Sequence, residues 1–165
     1  MTRDKLLAGE ITLRPWRLEE GHVYAGLRDE LVYRFTTEDP SVDGESCASE
    51  ILAARHGPGQ LAFAICDSRG DPVGNVAVVR RGATAEISYW LSAPARGRGW
   101  ASTALRAATA WAFEEWDVDN AELEIDPANE ASVRVAEAAG YLRHGTRLES
   151  ACGGPALLYR LSAET

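Results

Sequence analysis

The chain has 165 residues, 45% of them hydrophobic, with five Trp, five Tyr and three Phe, enough apolar mass for one sizeable core and too much for an intrinsically disordered chain. Its 25 acidic and 17 basic residues leave a net charge of −8, which disfavours nucleic acid as a partner and fits a cationic one or plain solubility. Three cysteines, Cys47, Cys66 and Cys152, show no CxxC or Cys/His ligand spacing, so neither a disulfide framework nor a metal site is expected.

The N-terminal Thr2-Arg3-Asp4-Lys5 leads only into a short apolar patch, and no uncharged run approaches membrane length; a cytoplasmic protein with no membrane partner is expected. Ile11 to Trp16 reads as a first strand. A helical segment from about Glu19 and a second from about Ser41 to His56 follow, with Tyr33 to Thr37 between them as a candidate substrate wall. Gln60 to Asp67 and Val73 to Arg80 read as strands joined through a Gly- and Pro-containing turn at Asp67 to Pro72. Thr84 to Leu91 extends that hairpin, with Ala85, Ile87, Tyr89 and Leu91 on one face and Glu86, Ser88 and Trp90 on the other.

Pro94 bars an early helix, and Ala101, Leu105, Ala108, Ala112 and Trp116 then recur at helical spacing. In the next strand Ala121, Leu123 and Ile125 alternate with Glu122, Glu124 and Asp126. Pro127 ends it just before a helix opening at Asn129. Tyr141 to Ser150 and Ala156 to Leu161 close the pattern around Gly153-Gly154-Pro155. With no linker or repeat, residues 1–165 are expected to form one domain, its core running from about 11 to 161. The expected architecture is α/β (α+β), with a mixed, mainly antiparallel sheet.

The segment Arg96-Gly97-Arg98-Gly99-Trp100-Ala101 lies between the alternating strand and the long helix. Glycines at such a junction leave backbone N–H groups free to converge on an anion, and the helix dipole adds to their pull. A Walker loop is excluded because no Gly-Lys-Ser/Thr follows, and the dinucleotide fingerprint fails because Ser102 stands at its third glycine. The alternatives are an anion cradle of another type and a glycine turn that caps a helix.

Arg96-x-x-Gly99-x-Ala101 resembles the acyl-CoA pyrophosphate loop of the GNAT acetyltransferase superfamily. Asn129-Glu130-Ala131-Ser132, followed by Val135, Ala136 and Gly140-Tyr141, resembles the Asn-x-x-Ser helix and strand entry of its RimJ/RimL-type branch. The likeness runs from about Ile11 to Leu161. It implies helices on both faces of the sheet and an acyl-CoA lying between the strand ending at Leu91 and the strand near Ile125. The cofactor amides would then meet backbone at Tyr89, Trp90 and Leu91, and the pyrophosphate would meet Arg96, Gly97, Arg98, Gly99, Trp100, Ala101 and Ser102. Asn129 and Ser132 would complete the cofactor contacts, with helix capping as a compatible role for Asn129.

The implied reaction is direct acetyl transfer from acetyl-CoA to a primary amine, which needs a base for the amine and a donor for the departing thiolate. Glu86 matches by position a glutamate used as base in the superfamily; it is otherwise an exposed strand residue, and Trp90 on the same face offers it an apolar neighbour. Glu122 and Glu124 are secondary candidates. Many relatives carry a tyrosine where Ala136 stands, so Ser132 is the candidate thiolate donor. The acceptor expected from the branch is a protein N-terminal α-amine, with a small cationic metabolite or antibiotic, or an acyl-CoA-binding module without turnover, as alternatives. Glu38-Asp39 beside Tyr33 and Phe35 is either a cation-holding acceptor mouth or a solvated loop. A homodimer is left open.

Overall fold

The structure is a computed structural model that describes residues 5–164, the side chains of 54–56 excepted. Eight strands form one sheet: β1 (Leu6–Ala8), β2 (Ile11–Pro15), β3 (Gln60–Cys66), β4 (Pro72–Arg81), β5 (Thr84–Leu91), β6 (Asn120–Ile125), β7 (Leu142–Arg147) and β8 (Ala156–Ser162). Their order is β1-β2-β3-β4-β5-β6-β8-β7. Every pairing is antiparallel except β5 with β6, two parallel neighbours that a helical crossover joins.

Helices α1 (Gly21–Leu27), α2 (Glu30–Phe35) and α3 (Gly44–His56) lie between β2 and β3, α4 (Trp100–Trp116) between β5 and β6, and α5 (Glu130–Ala138) between β6 and β7. The alternation of β5 sorts its side chains between two cores. Ala85, Ile87 and Leu91 join the larger one, beneath α4 and α5, with Leu105, Ala108, Trp111, Ala112 and Leu123. Trp90 enters a second cluster on the opposite face with Trp16, Tyr24, Cys47, Ile51, Ala64 and Cys66. Helices therefore cover both faces.

The strand limits expected from alternation hold closely, and the differences have local causes. Residues 33–35 of the stretch expected to separate the two helical segments are themselves helical and belong to α2. The Asp29 carboxylate caps that helix by accepting from Val32 N–H at 3.1 Å, and Thr36 closes it onto the Val32 carbonyl. Helix α3 begins at Gly44, not Ser41, because Asp39 holds Ser41 in its own turn and Asp43 is the cap, accepting from Ser46 N–H at 2.9 Å. Strand β1, three residues long, is held by its ladder to β2. Strand β7 stops at Arg147.

Candidate active site

Strands β5 and β6 pair over only three positions, Thr84 with Asn120, Ala85 with Ala121 and Glu86 with Glu122. Beyond them β5 stays on β4 as far as Leu91, and β6 stays on β8 as far as Ile125. The facing edges diverge into a fork whose backbone groups have lost their ladder partner.

At the mouth of the fork a 3-10 turn at Ala93–Ala95 leads into the glycine loop. Gly97 and Gly99 have φ of 77° and 76°, the left-handed region where a side chain is strained, and a Cβ on either would meet nothing within 4 Å. Helix α4 starts at Trp100 with no side-chain cap. Among the described residues no acceptor lies opposite the N–H groups of Gly97 to Ser102, and the first helical bond runs from Thr103 N–H to the Gly99 carbonyl. Converging N–H groups at a helix start with open space before them fit a pyrophosphate.

The side chains of this loop do different work. The Arg96 guanidinium makes two bonds of 2.8 Å to the Asp29 carboxylate and a third of 2.8 Å to the Leu91 carbonyl, so it braces the loop against the start of α2 and the end of β5. The Ser102 and Thr103 hydroxyls both donate back to the Gly99 carbonyl at 3.0 Å. Arg98 lies over the Trp100 ring at 5.1 Å, and the Trp100 indole N–H donates to Glu10 at 3.3 Å. Asp29 is held below the usual carboxylate range, first by Arg96 and then by its bond from Val32 N–H.

On the far side of the fork, Asn129 caps α5, its side chain accepting from Ser132 N–H at 3.2 Å. The Ser132 hydroxyl lies 2.7 Å from the Tyr89 phenol oxygen. This contact bridges the two arms, because Tyr89 belongs to β5 and Ser132 to the helix after β6. Burial pushes the Tyr89 phenol up to about 12, the Ser132 bond opposing. Tyr141 and Tyr159 are core residues, and the Tyr141 hydroxyl pairs with Thr109 at 2.6 Å.

The other face of the fork carries Glu86, Ser88, Glu122 and Glu124. Each of its carboxylates has an arginine: Glu86 with Arg81 at 3.3 Å, Glu122 with Arg160 at 2.8 Å and Glu124 with Arg147 at 2.8 Å. Glu86 sits at the apex, as the last residue paired to β6. Trp90 does not form its apolar wall, since its ring packs edge-on against Tyr24 and its indole N–H donates to Glu38 at 3.3 Å.

Glu38 is not a solvated loop residue. It also accepts from the Tyr24 hydroxyl and from Arg28 at 3.0 Å. The cation held between this carboxylate and the rings of Tyr24 and Tyr33 is thus the chain's own Arg28, at 5.7 and 5.5 Å from the ring centroids. Composition showed that such residues were present, yet no short-range pattern joins Tyr24, Arg28, Glu38 and Trp90. Asp29 did leave a signal, standing as an N-cap type just before an apolar-periodic segment.

A fork between parallel strands, with unfilled N–H groups at its mouth, defines a class of fold that can hold an extended arm and an anionic group. The family model described as "Acetyltransferase (GNAT) domain" matches residues 10–142, and the chain belongs to the GNAT acetyltransferases, of the RimJ/RimL type. It is an acetyl-CoA-dependent N-acetyltransferase. A search of curated protein sequences returns no match.

Among solved structures, the chain is similar to Mycobacterium smegmatis RimJ in complex with CoA-disulfide, at 25% identity and a TM-score of 0.81, over 94% of this chain and 83% of that one. It shares its fold with the ribosomal-protein-S5-alanine acetyltransferase of Vibrio fischeri, at 15% identity, 0.82, and 96% of both chains. The same holds for spermidine N-acetyltransferase from Vibrio cholerae in complex with CoA and spermine, at 16% identity and 0.81, over 93% of this chain and 95% of that one.

Proposed function

We propose that this enzyme transfers the acetyl group directly to a protein N-terminal α-amine. The observation that carries this reading is the charge balance of the fork's open face. Its three carboxylates are each bonded to an arginine, so it lacks the net negative field that would select a polycationic amine. At pH 7.5 about a quarter or more of an α-amine is neutral and nucleophilic, against about one part in a thousand of a lysine side chain. A base acting through water then suffices.

Glu86 is that base in our reading, at the apex of the open face, with Arg81 beside its carboxylate. Ser132 donates a hydrogen bond to the departing thiolate, and Asn129 holds the first turn of α5 that presents it. The N–H groups from Gly97 to Ser102 hold the pyrophosphate, and the free edge of β5 around Tyr89, Trp90 and Leu91 receives the amide-bearing arm. Burial pushes the thiols of Cys47, Cys66 and Cys152 up, which favours direct transfer over a cysteine-bound acyl group. Membership of the RimJ/RimL type, whose sequence resemblance implies a protein N-terminal amine, supports the same acceptor class.

The test is an initial-rate comparison of acetyl-CoA turnover with N-terminal peptides, a peptide with a blocked N-terminus and one free lysine, spermidine, and an aminoglycoside. We expect kcat/KM for at least one free N-terminus to exceed the others by tenfold or more, on the order of 1.4 kcal/mol of discrimination. Turnover confined to spermidine or the aminoglycoside would replace this acceptor with a small cation.

A further inference from the structure

We propose that Tyr89 is a positioning residue for the transfer step, fixing the Ser132 hydroxyl so that its hydrogen points into the fork; this rests on Ser132 acting as the thiolate's donor. A serine hydroxyl carries one hydrogen and two lone pairs, and its rotor turns freely unless a neighbour occupies one of them. Tyr89 is that neighbour. Its phenol oxygen lies 2.7 Å from Ser132 Oγ and 3.3 Å from the Ser132 carbonyl oxygen.

Two hydrogen arrangements satisfy these distances. In one, Tyr89 donates to Ser132 Oγ and leaves the serine hydrogen unspent. In the other, Ser132 donates to the phenol oxygen and Tyr89 donates to the Ser132 carbonyl. The second relies on a 3.3 Å bond, long for O–H···O, to a carbonyl placed in the first turn of α5 to accept an intrahelical bond. The first uses the 2.7 Å bond at ordinary length. It also leaves the Ser132 hydrogen available to whatever lies between the arms.

The phenol stays protonated across the working range, since burial sets it at about 12, and so it acts as a fixed donor rather than a proton source. The chemistry balances without it. The amine nitrogen forms its bond to the acetyl carbon and gives its proton to the base, the carbon–sulfur bond breaks, and the electron pair departs on sulfur. Ser132 O–H hydrogen-bonds the developing thiolate, which then takes a proton from solvent. Tyr89 decides where that serine hydrogen is when the charge develops.

The experiment is a double-mutant cycle of Tyr89→Phe and Ser132→Ala, read as kcat and as KM for acetyl-CoA with a saturating peptide acceptor, beside calorimetric CoA affinity and thermal melting. Tyr89→Phe should lower kcat about tenfold, with KM within about twofold, and should cost little or nothing further in the Ser132→Ala background. Losses that multiply across the cycle, or an undiminished kcat for Tyr89→Phe while Ser132→Ala is slow, overturn the proposal. An undiminished kcat for Ser132→Ala instead removes the reading beneath it.

Should Tyr89→Phe not fold, Tyr89→4-aminophenylalanine keeps an N–H donor at the same place. It should retain kcat within about threefold of the wild type. A loss of tenfold or more there would overturn the positioning role.

Discussion

Asp29→Asn separates two tasks that one carboxylate performs. The wild-type side chain caps α2 through Val32 N–H and holds Arg96 in a bidentate pair. Asparagine caps about as well as aspartate, so the substitution removes the charge and leaves the cap. The pair is about one-third exposed on each side. Bare Coulomb attraction at about 4 Å between charge centres is roughly 1 kcal/mol in water and roughly 4 at an effective dielectric of 20. Solvent screening and side-chain entropy reduce that to about 1 kcal/mol for a bidentate pair at this exposure.

Urea unfolding at pH 7 should show that loss, equivalent to about 2–4 °C in Tm for a chain of this size. The pH dependence has a definite sign. Asp29 is depressed in the folded state, so its contribution is fully present above the unfolded carboxylate value of about 3.9 and is lost as the pH falls through the lower folded value. Wild type and variant should therefore differ by a constant amount between about pH 5 and 8 and converge as the pH falls through the lowered folded-state value. Since Arg96 braces the loop, Asp29→Asn should also weaken calorimetric CoA affinity about three- to fivefold, roughly 0.7–1 kcal/mol. A variant that binds CoA more tightly would show that Arg96 is a phosphate ligand restrained by Asp29. A stability gap that persists unchanged as the pH falls through the lowered folded-state value would refute the ion pair as its source.

Gly99→Val must hold a branched residue at φ 76°, a strain on the order of 1–3 kcal/mol; CoA affinity should fall about tenfold or more, while Gly99→Asn, which tolerates that conformation, should lose less. Glu86→Gln should lower kcat about 10²-fold; an unchanged rate in stopped assays would dismiss Glu86 as the base. Trp16→Phe leaves the Asn75 carbonyl oxygen, now bonded at 2.9 Å, without its donor in a site where Asn75 is 5% exposed. A loss of about 2–4 kcal/mol in chemical denaturation is expected, and a loss under 1 would show that the site readjusts.

What could be read from the chain follows interaction range. Strand β5 was legible to the residue because alternation is a local signal: Ala85, Ile87 and Leu91 are buried on one face, while Ser88 stays exposed on the other. The glycine loop was legible because positive φ nearly demands glycine. Three-residue β1 and six-residue α2 were not, since the first exists by pairing with β2 and the second through caps at Asp29 and Thr36. Site side chains fared worst. The resemblance sets Arg96 among the pyrophosphate contacts, and no local pattern announces its carboxylate partner, which lies 67 positions earlier. Trp90 was matched with Glu86 by strand spacing, whereas the carboxylate beneath its indole comes from 52 positions away. Tyr89 was valued for its backbone, and its hydroxyl acquired a partner only when α5 folded back.

Among the described residues, the three residue pairs that join β5 to β6 are also the only strand-to-strand seam between the five-stranded and three-stranded parts of the sheet. On the proposed placement, an acyl-CoA seated in the fork would act there as a zip, stitching edges that the polypeptide leaves open. Ligand that binds only the folded form adds RT ln(1 + [L]/Kd) to stability, and here that gain is concentrated on the weakest join. Amide exchange in Ile87 to Leu91 and Leu123 to Ile125 should therefore slow most on loading. The enzyme's lifetime against unfolding and proteolysis becomes tied to the supply of its own acyl donor.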